Sequence, residues 1–267
     1  MSQSWEACGP VIVTGAAAGI GRAVAELFAA RSAPVSLWDT DPAVFRVRTE
    51  IRAAEDDFVA HAARVDVADA DAVAEAFADA TRAIGPAAVL VHAAGVLETG
   101  DAADLTAAQW NRCMSVNATG TMNVTRQAAT AMAANGGGSI VVVTSNAAST
   151  PRAGMAAYGA SKAAAAAFAR SLGLEVAAQG VRVNLVSPGS TDTPMLRGMH
   201  GADAELADIA RERIIAGDPD RYRAGIPLRR IGLPEDVAEA AYFLASPAAR
   251  HITLHDLRVD GGATLDM

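Results

Sequence analysis

The sequence predicts a doubly wound α/β fold: one parallel sheet of about seven strands with helices on both faces. Three observations carry this expectation. Short β-branched runs alternate with longer Ala-rich stretches of helical character. The runs are continuously apolar rather than alternating, as strands covered on both faces must be. No repeat, charged block or Pro/Ser-rich linker divides the 267 residues, and α/β chains of this length commonly form one core.

The first strand is "PVIVT" (10–14), which enters "TGAAAGIG" and then the helix "RAVAELFAA". "PVSLW" (34–38), "FVAHAARV" (58–65) and "AAVLVH" (87–92) follow as the second to fourth strands. "NGGGS" (135–139) makes a helix-to-strand turn into "SIVVVTS" (139–145). A helix is expected within 154–179, then the strand "VRVNLVS" (181–187), and "TLHDLRV" (253–259) is the last. Between these two strands, 192–232 is the least regular stretch, from "DTPMLRGMHG" to "GIPLRRIGLP". Long loops in compact domains are more often lids than spacers, so it is expected to cover the substrate of a single domain spanning 1–267.

With 30 acidic against 22 basic side chains, the formal charge is −8, which repels both nucleic acid and anionic membranes. The start of the chain lacks a basic region followed by an apolar core, and no run of 18 apolar residues occurs; a cytoplasmic protein is expected. Cys8 and Cys113 are far apart and read as buried small hydrophobes. The five histidines form no metal-ligand pattern, so no metal is expected.

Chemistry begins at the first strand-to-helix turn. Gly15, Gly19 and Gly21, with Ile20 between the last two, allow a tight turn and a close approach to a pyrophosphate at a helix N-terminus. Asp39 ends the second strand 18 residues after Gly21, near the offset of the acid that binds an adenosine ribose. A carboxylate there repels a 2′-phosphate, Thr40 rather than Arg follows it, and Ala18 stands where a basic residue could have served that phosphate. NAD is expected in preference to NADP.

In "AAYGASKAA" (156–164), Tyr158 and Lys162 lie four apart and share a helix face. A phenol with a pKa near 10 is a poor base at neutral pH, and a nearby ammonium favours its phenolate. Such a pair occurs often by chance and, taken alone, reads as structural rather than catalytic. It occurs, however, with the glycine loop, "VHAAG" after the fourth strand, Asn117 in "SVNATG", Ser145 ending the fifth strand and "VSPGSTDT" after the sixth. In that order and spacing the chain resembles the classical short-chain dehydrogenase/reductases, a Rossmann-type family, over essentially its whole length.

The resemblance implies that Tyr158 is the general base, Lys162 lowers its pKa and holds the nicotinamide ribose, Ser145 orients the substrate hydroxyl and Asn117 supports a relay water. It also implies that Asp66 and Val67 contact adenine, and that Ala94, Gly95, Pro188, Gly189, Thr191 and Thr193 complete the NAD site. A homotetramer is implied, with small residues of "AAAAAF" (163–168) allowing close helix contact. His92 departs from the family's usual Asn and reads as structural.

"TPRAGMAAYGASKAA" (150–164), "VSPGSTDTPM" (186–195) and the tail "HITLHDLRVDGGATL" (251–265) look very like one branch of that family, the bacterial 2,3-dihydro-2,3-dihydroxybenzoate dehydrogenases. These oxidise a ring alcohol of a cyclohexadiene carboxylate beside a diene, and the ketone tautomerises to an aromatic ring for siderophore or antibiotic biosynthesis. A carboxylate calls for guanidinium groups, with Arg152 and Arg197 as candidates beside Met195. Glu98 stands where those enzymes have an arginine and Asn146 where they can have Asp. The reversal at Glu98 would suit an ammonium, so trans-2,3-dihydro-3-hydroxyanthranilate stays open beside the dihydroxy acid. A 3-ketoacyl or steroid reductase would share the catalytic residues, but Asp39, the tail and "TPRAGM" count against it. A non-catalytic NAD-binding protein would be expected to have lost Tyr158, Lys162 or Ser145.

Overall fold

A computed structural model describes residues 9–54, 58–201 and 205–265. Seven strands form one parallel sheet: β1 (Val11–Thr14), β2 (Val35–Asp39), β3 (Ala60–Arg64), β4 (Val89–His92), β5 (Gly138–Val143), β6 (Val181–Pro188) and β7 (Asp256–Val259). Their spatial order is β3-β2-β1-β4-β5-β6-β7, with Thr14 of β1 beside both Trp38 and His92. The order reverses between β1 and β4. Ligands of open α/β sheets bind outside the carboxyl ends of the strands at such a reversal.

The expected strands all form, with ends that move by a few residues: 58–65 contracts to β3, which pairs along the five residues of β2, and 253–259 contracts to β7, which pairs with the last four residues of β6. Successive residues of β1 serve opposite faces. Val11 and Val13 join a core with Phe28, Leu37 and Tyr242, while Ile12 joins one with Trp38, Phe77 and Met132. The first core is covered by helices α1 (Gly19–Ala30), α2 (Ala43–Ala54) and, late in the chain, Pro234–Ala245. The second is covered by α3 (Ala70–Ile84), the helix Gly120–Ala134 and the helix Ala156–Val176. This two-sided burial explains why the strands read as unbroken apolar runs.

In chain order the remaining helices are α4 (Ala107–Cys113), α5 (Gly120–Ala134), α6 (Ala156–Val176), α7 (Pro194–Met199), α8 (Asp208–Ala216) and α9 (Pro234–Ala245). Segment 192–232 is more regular than the sequence suggests. Beyond α7 and α8 it has its own apolar cluster, in which Leu196, Ile214, Ile226 and Ile231 pack with Ala263 from the tail. Of the two cysteines, Cys113 is buried with a free thiol and Cys8 lies outside the described residues. Among the described residues no helix is long and apolar enough to cross a membrane, and no group of His, Cys, Asp and Glu could hold a metal ion.

Candidate active site

Both halves of a nucleotide cradle meet at the carboxyl ends of β1 and β2. Gly15 has φ of +69°, and a Cβ there would lie 2.8 Å from the Ala94 nitrogen. At Gly21 a Cβ would be driven into the Gly15 carbonyl, so α1 can seat against this turn only without a side chain. Ala18, the residue before α1, offers no side-chain cap, which leaves the first amides of the helix facing outward without an internal acceptor. Asp39 accepts a hydrogen bond from the Ala17 amide (3.0 Å) through Oδ2 and one from Asp41 (2.9 Å) through Oδ1. Its charge is thereby fixed against the glycine loop, the position a ribose-binding carboxylate needs.

The other expected cofactor residues border the same edge. Asp66 is exposed and accepts from the Ala68 amide (2.9 Å), and Val67 is buried against Gly120, where a Cβ would lie 2.6 Å from Val67 Cγ2. The Ala94 amide donates to Thr14 Oγ1 (3.1 Å), and Gly95 lies where a Cβ would be 3.1 Å from both Asn117 Oδ1 and Lys162 Nζ. Gly19 approaches Thr193, whose hydroxyl accepts from the Leu196 amide at the start of α7. Ile20, Pro188, Gly189, Thr191 and Thr193 all face one cavity of about 630 Å³. The donor-rich glycine turn, the fixed Asp39 carboxylate and the absence of side chains at Gly15 and Gly21 fit NAD.

Tyr158 and Lys162 lie on α6 and are buried on the face that borders this cavity. Small residues around them let α6 approach: a Cβ on Gly159 would lie 3.0 Å from the Ala147 carbonyl. Ser145 lies just beyond β5 and accepts from the Ala147 amide (3.1 Å). Burial pushes the Tyr158 phenol above its ordinary range, and a hydrogen bond with Ser145 pulls it back. Burial also brings Lys162 down to about 8. Its Nζ donates to the Val143 carbonyl (3.0 Å) and lies 6.0 Å from the Tyr158 ring centre. The ammonium therefore has an anchor on β5 while remaining beside the phenol.

Asn117 lies in a wide, π-type turn (Met114–Thr119) between α4 and α5 and is fully buried. Its amide is wholly engaged: Oδ1 accepts from the Val96 amide (2.8 Å), and Nδ2 donates to the Val96 carbonyl (2.9 Å) and to Ser161 Oγ (2.9 Å). Ser161 in turn donates to the Tyr158 carbonyl (2.8 Å). The side chain thus clamps the segment after β4 to the helix that carries Tyr158. His92, at the end of β4, is buried and bonded to Thr14, and burial, aided by the Lys162 cation, lowers it to about 3. It is a neutral structural histidine.

The expected substrate residues separate. Asn146, Arg152 and Met195 line the cavity with Ser145 and Tyr158. Asn146 Nδ2 donates to Asp260 Oδ2 (3.2 Å), tying the site to the tail. Glu98 turns away from this lining and pairs with Arg112, so its charge is neutralised within the protein. Arg197 is likewise outside the lining and donates to Asp192 (2.8 Å). Arg221 and Arg223 are among the lining residues that the sequence does not single out. The signal was their spacing in "DRYRAG" within the segment already expected to cover the substrate.

A family profile described as enoyl-(acyl carrier protein) reductase matches residues 15–264. The chain is 43% identical over 258 residues to the 2,3-dihydro-2,3-dihydroxybenzoate dehydrogenase of Bacillus subtilis (strain 168), covering 95% of each chain. It is 41% identical to the enzyme of the same name from Escherichia coli (strain K12), covering 96% of each. A solved structure of 7α-hydroxysteroid dehydrogenase in complex with NADH and 7-oxo glycochenodeoxycholic acid superposes with a TM-score of 0.85 at 30% identity, covering 97% of this chain and 95% of the other.

Proposed function

The chain belongs to the short-chain dehydrogenase/reductase family, and on that premise we propose that it is an NAD-dependent oxidoreductase that converts 2,3-dihydro-2,3-dihydroxybenzoate to 2,3-dihydroxybenzoate. The observation that carries the reading is one cavity bordered by Ser145, Tyr158 and Lys162 and also by arginine side chains, which suits an alcohol on a ring that bears a carboxylate. The relatives that share about two-fifths of its sequence carry the name of that reaction. The pairing of Glu98 with Arg112 removes the charge that would have favoured an ammonium, and with it the reason to prefer the amino acid analogue.

NAD, when bound, supplies the acceptor for the hydride of the carbinol carbon. Tyr158 takes the hydroxyl proton onto its phenolic oxygen, and Ser145 holds the substrate oxygen by a hydrogen bond that persists as the alcohol becomes a ketone. Lys162 favours the phenolate by its charge. Asn117 acts through position, since its amide bonds join Val96 to α6. Asp39 would receive the ribose hydroxyls and disfavour a 2′-phosphate. Asp66 and Val67 would border adenine, and Gly15, Gly19, Ile20, Gly21, Ala94, Gly95, Pro188, Gly189, Thr191 and Thr193 would shape the rest of the cofactor site. The resulting ring ketone tautomerises to the catechol, which drives the reaction forward. We assign the whole chain to one catalytic domain of a cytoplasmic homotetramer serving siderophore formation.

The test is NADH formation by the purified protein with each dihydro acid in turn. Turnover of the dihydroxy acid is expected, and a Tyr158→Phe variant should lose on the order of 10³-fold or more in kcat, the upper part of the range for a positioned acid or base. Turnover of neither acid would overturn the substrate, and a Phe variant of undiminished rate would overturn the mechanism.

A further inference from the structure

Arg221 and Arg223 flank a turn whose geometry presents both to the cavity. The Asp218 amide donates to the Arg223 carbonyl and the Arg223 amide to the Asp218 carbonyl, each at 2.9 Å, which closes the segment between them. Tyr222 at its tip is left-handed (φ 53°) and 96% exposed. A left-handed non-glycine residue costs roughly 1 kcal/mol or more, so it persists only where surrounding contacts require it. Here the outcome is that the tyrosine points to solvent and its two arginine neighbours line the cavity.

Each guanidinium is also positioned individually. Arg223 is half-buried, and its Nη2 donates to Ser190 Oγ (2.8 Å). Arg221 Nη2 lies so close to Gly154 that a Cβ there would approach it to 2.8 Å. Gly154 itself has φ of +78°, and its carbonyl accepts from the Gly100 amide (3.0 Å), joining the loop after β4 to the loop before α6. Arg152 lies in that same loop and faces the same cavity. Among the described residues, neither Arg221 nor Arg223 forms an ion pair. The carboxylates on the lining are Asp101 and Asp218, and His200 also borders it. Burial is the first cause that lowers Arg223, and the positive charges of Arg152 and Arg221 add to it, while Asp218 opposes them.

Arg152, Arg221 and Arg223 face one cavity beside the Asp101 and Asp218 carboxylates, and the mutual repulsion of Arg223 with its two neighbours is relieved further when an anion enters between them. We infer that Arg221 and Arg223, with Arg152 across the cavity, form the subsite that binds the ring carboxylate of the substrate and sets specificity for an acid over a neutral ring diol. The planar forks of guanidinium groups match a carboxylate in geometry as well as charge. This rests on the proposed function for the identity of the ring, and it moves the carboxylate contact from Arg197 to the turn before Tyr222 and after it.

The test is calorimetric binding of 2,3-dihydroxybenzoate and of catechol to the enzyme–NADH complex. The unaltered protein should bind the acid at least tenfold more tightly than catechol. Arg223→Met and Arg221→Met should each reduce that ratio by about 10- to 100-fold, the usual loss for a charge-assisted hydrogen bond. Arg223→Lys should recover only part of it. Fluorescence of bound NADH identifies variants that are folded. No preference in the unaltered protein, or a preference that survives both methionine variants, overturns the subsite. A preference abolished by the variants, in a protein that does not turn over the dihydro acid, would leave the subsite standing and overturn the substrate.

Discussion

Lys162 is asked to be a cation in a place that disfavours cations. Burial brings it from 10.5 down to about 8, opposed in part by Cys113, while the ammonium donates to the Val143 carbonyl. Because the folded pKa lies below the unfolded one, the unfolded chain binds more protons between about pH 8 and 10.5, and stability rises with pH across that window. Below it the native state bears the full cost, about 3 kcal/mol from that difference in pKa. Lys162→Met removes the cost and leaves the Val143 carbonyl without its donor, worth about 1 kcal/mol. The variant should therefore be more stable than the parent by about 2 kcal/mol at pH 7, with the advantage gone near pH 10, and should lack turnover. Urea unfolding at the two pH values measures this; an advantage that does not change with pH would show that the ammonium is not the strained group.

At the scale of elements, the end of β2 and the glycine loop form one unit. Asp39 is bonded both to the loop through Ala17 and to its own turn through Asp41, so its position does not depend on a bound nucleotide. Asp39→Asn keeps one acceptor oxygen while removing the charge. The ratio of kcat/KM for NAD over NADP should fall at least tenfold, about 1.4 kcal/mol; an unchanged ratio would remove Asp39 from the ribose site. This unit was legible in sequence because it is local: the glycines, the strand before them and the acid after them follow in fixed order. The strands were legible for a similar reason, since two-sided burial writes itself as unbroken apolar runs such as "VIVT" and "IVVV". Direction across loops was not. Nothing in "MSVNATG" announces that the turn it forms is wide, or that Asn117 bonds to Val96 and Ser161, partners set by tertiary packing. Glu98 and Arg197 read as pocket residues, and each found a nearer opposite charge, Arg112 and Asp192. Arg221 and Arg223 border the cavity from a turn closed by the Asp218–Arg223 backbone bonds around a left-handed Tyr222, a geometry the sequence does not announce.

The whole molecule has one sheet, and its centre carries a titratable group. Thr14 Oγ1 accepts from the amides of Ala93 (3.2 Å) and Ala94 (3.1 Å), so its own proton goes to His92 Nδ1 at 2.8 Å. That assigns the neutral imidazole its proton at Nε2, which is buried and has no partner among the described residues. β1 and β4, the two strands on either side of the topological reversal, are thus tied by a histidine that must remain uncharged. Burial disfavours the imidazolium first and the nearby Lys162 cation adds to it, which holds His92 at about 3; protonation would also require Nδ1 to give up its acceptor role. With a folded pKa below the unfolded 6.5, the unfolded state binds more protons between those values, and stability falls as pH drops from about 6.5 to 3. The loss amounts to about 5 kcal/mol over the full window, a large part of the stability of an ordinary domain. Acid should therefore unfold the sheet from its centre. His92→Asn keeps a polar partner for Thr14 and removes the titration. Its smaller volume should make it about 1 kcal/mol less stable at pH 7, as modest core truncations are. At pH 4 the order should reverse, with the variant the more stable protein in urea unfolding monitored by circular dichroism. If the two proteins lose stability in parallel between pH 7 and 4, the acid sensitivity resides in the carboxylates instead, and His92 is not held below its ordinary value.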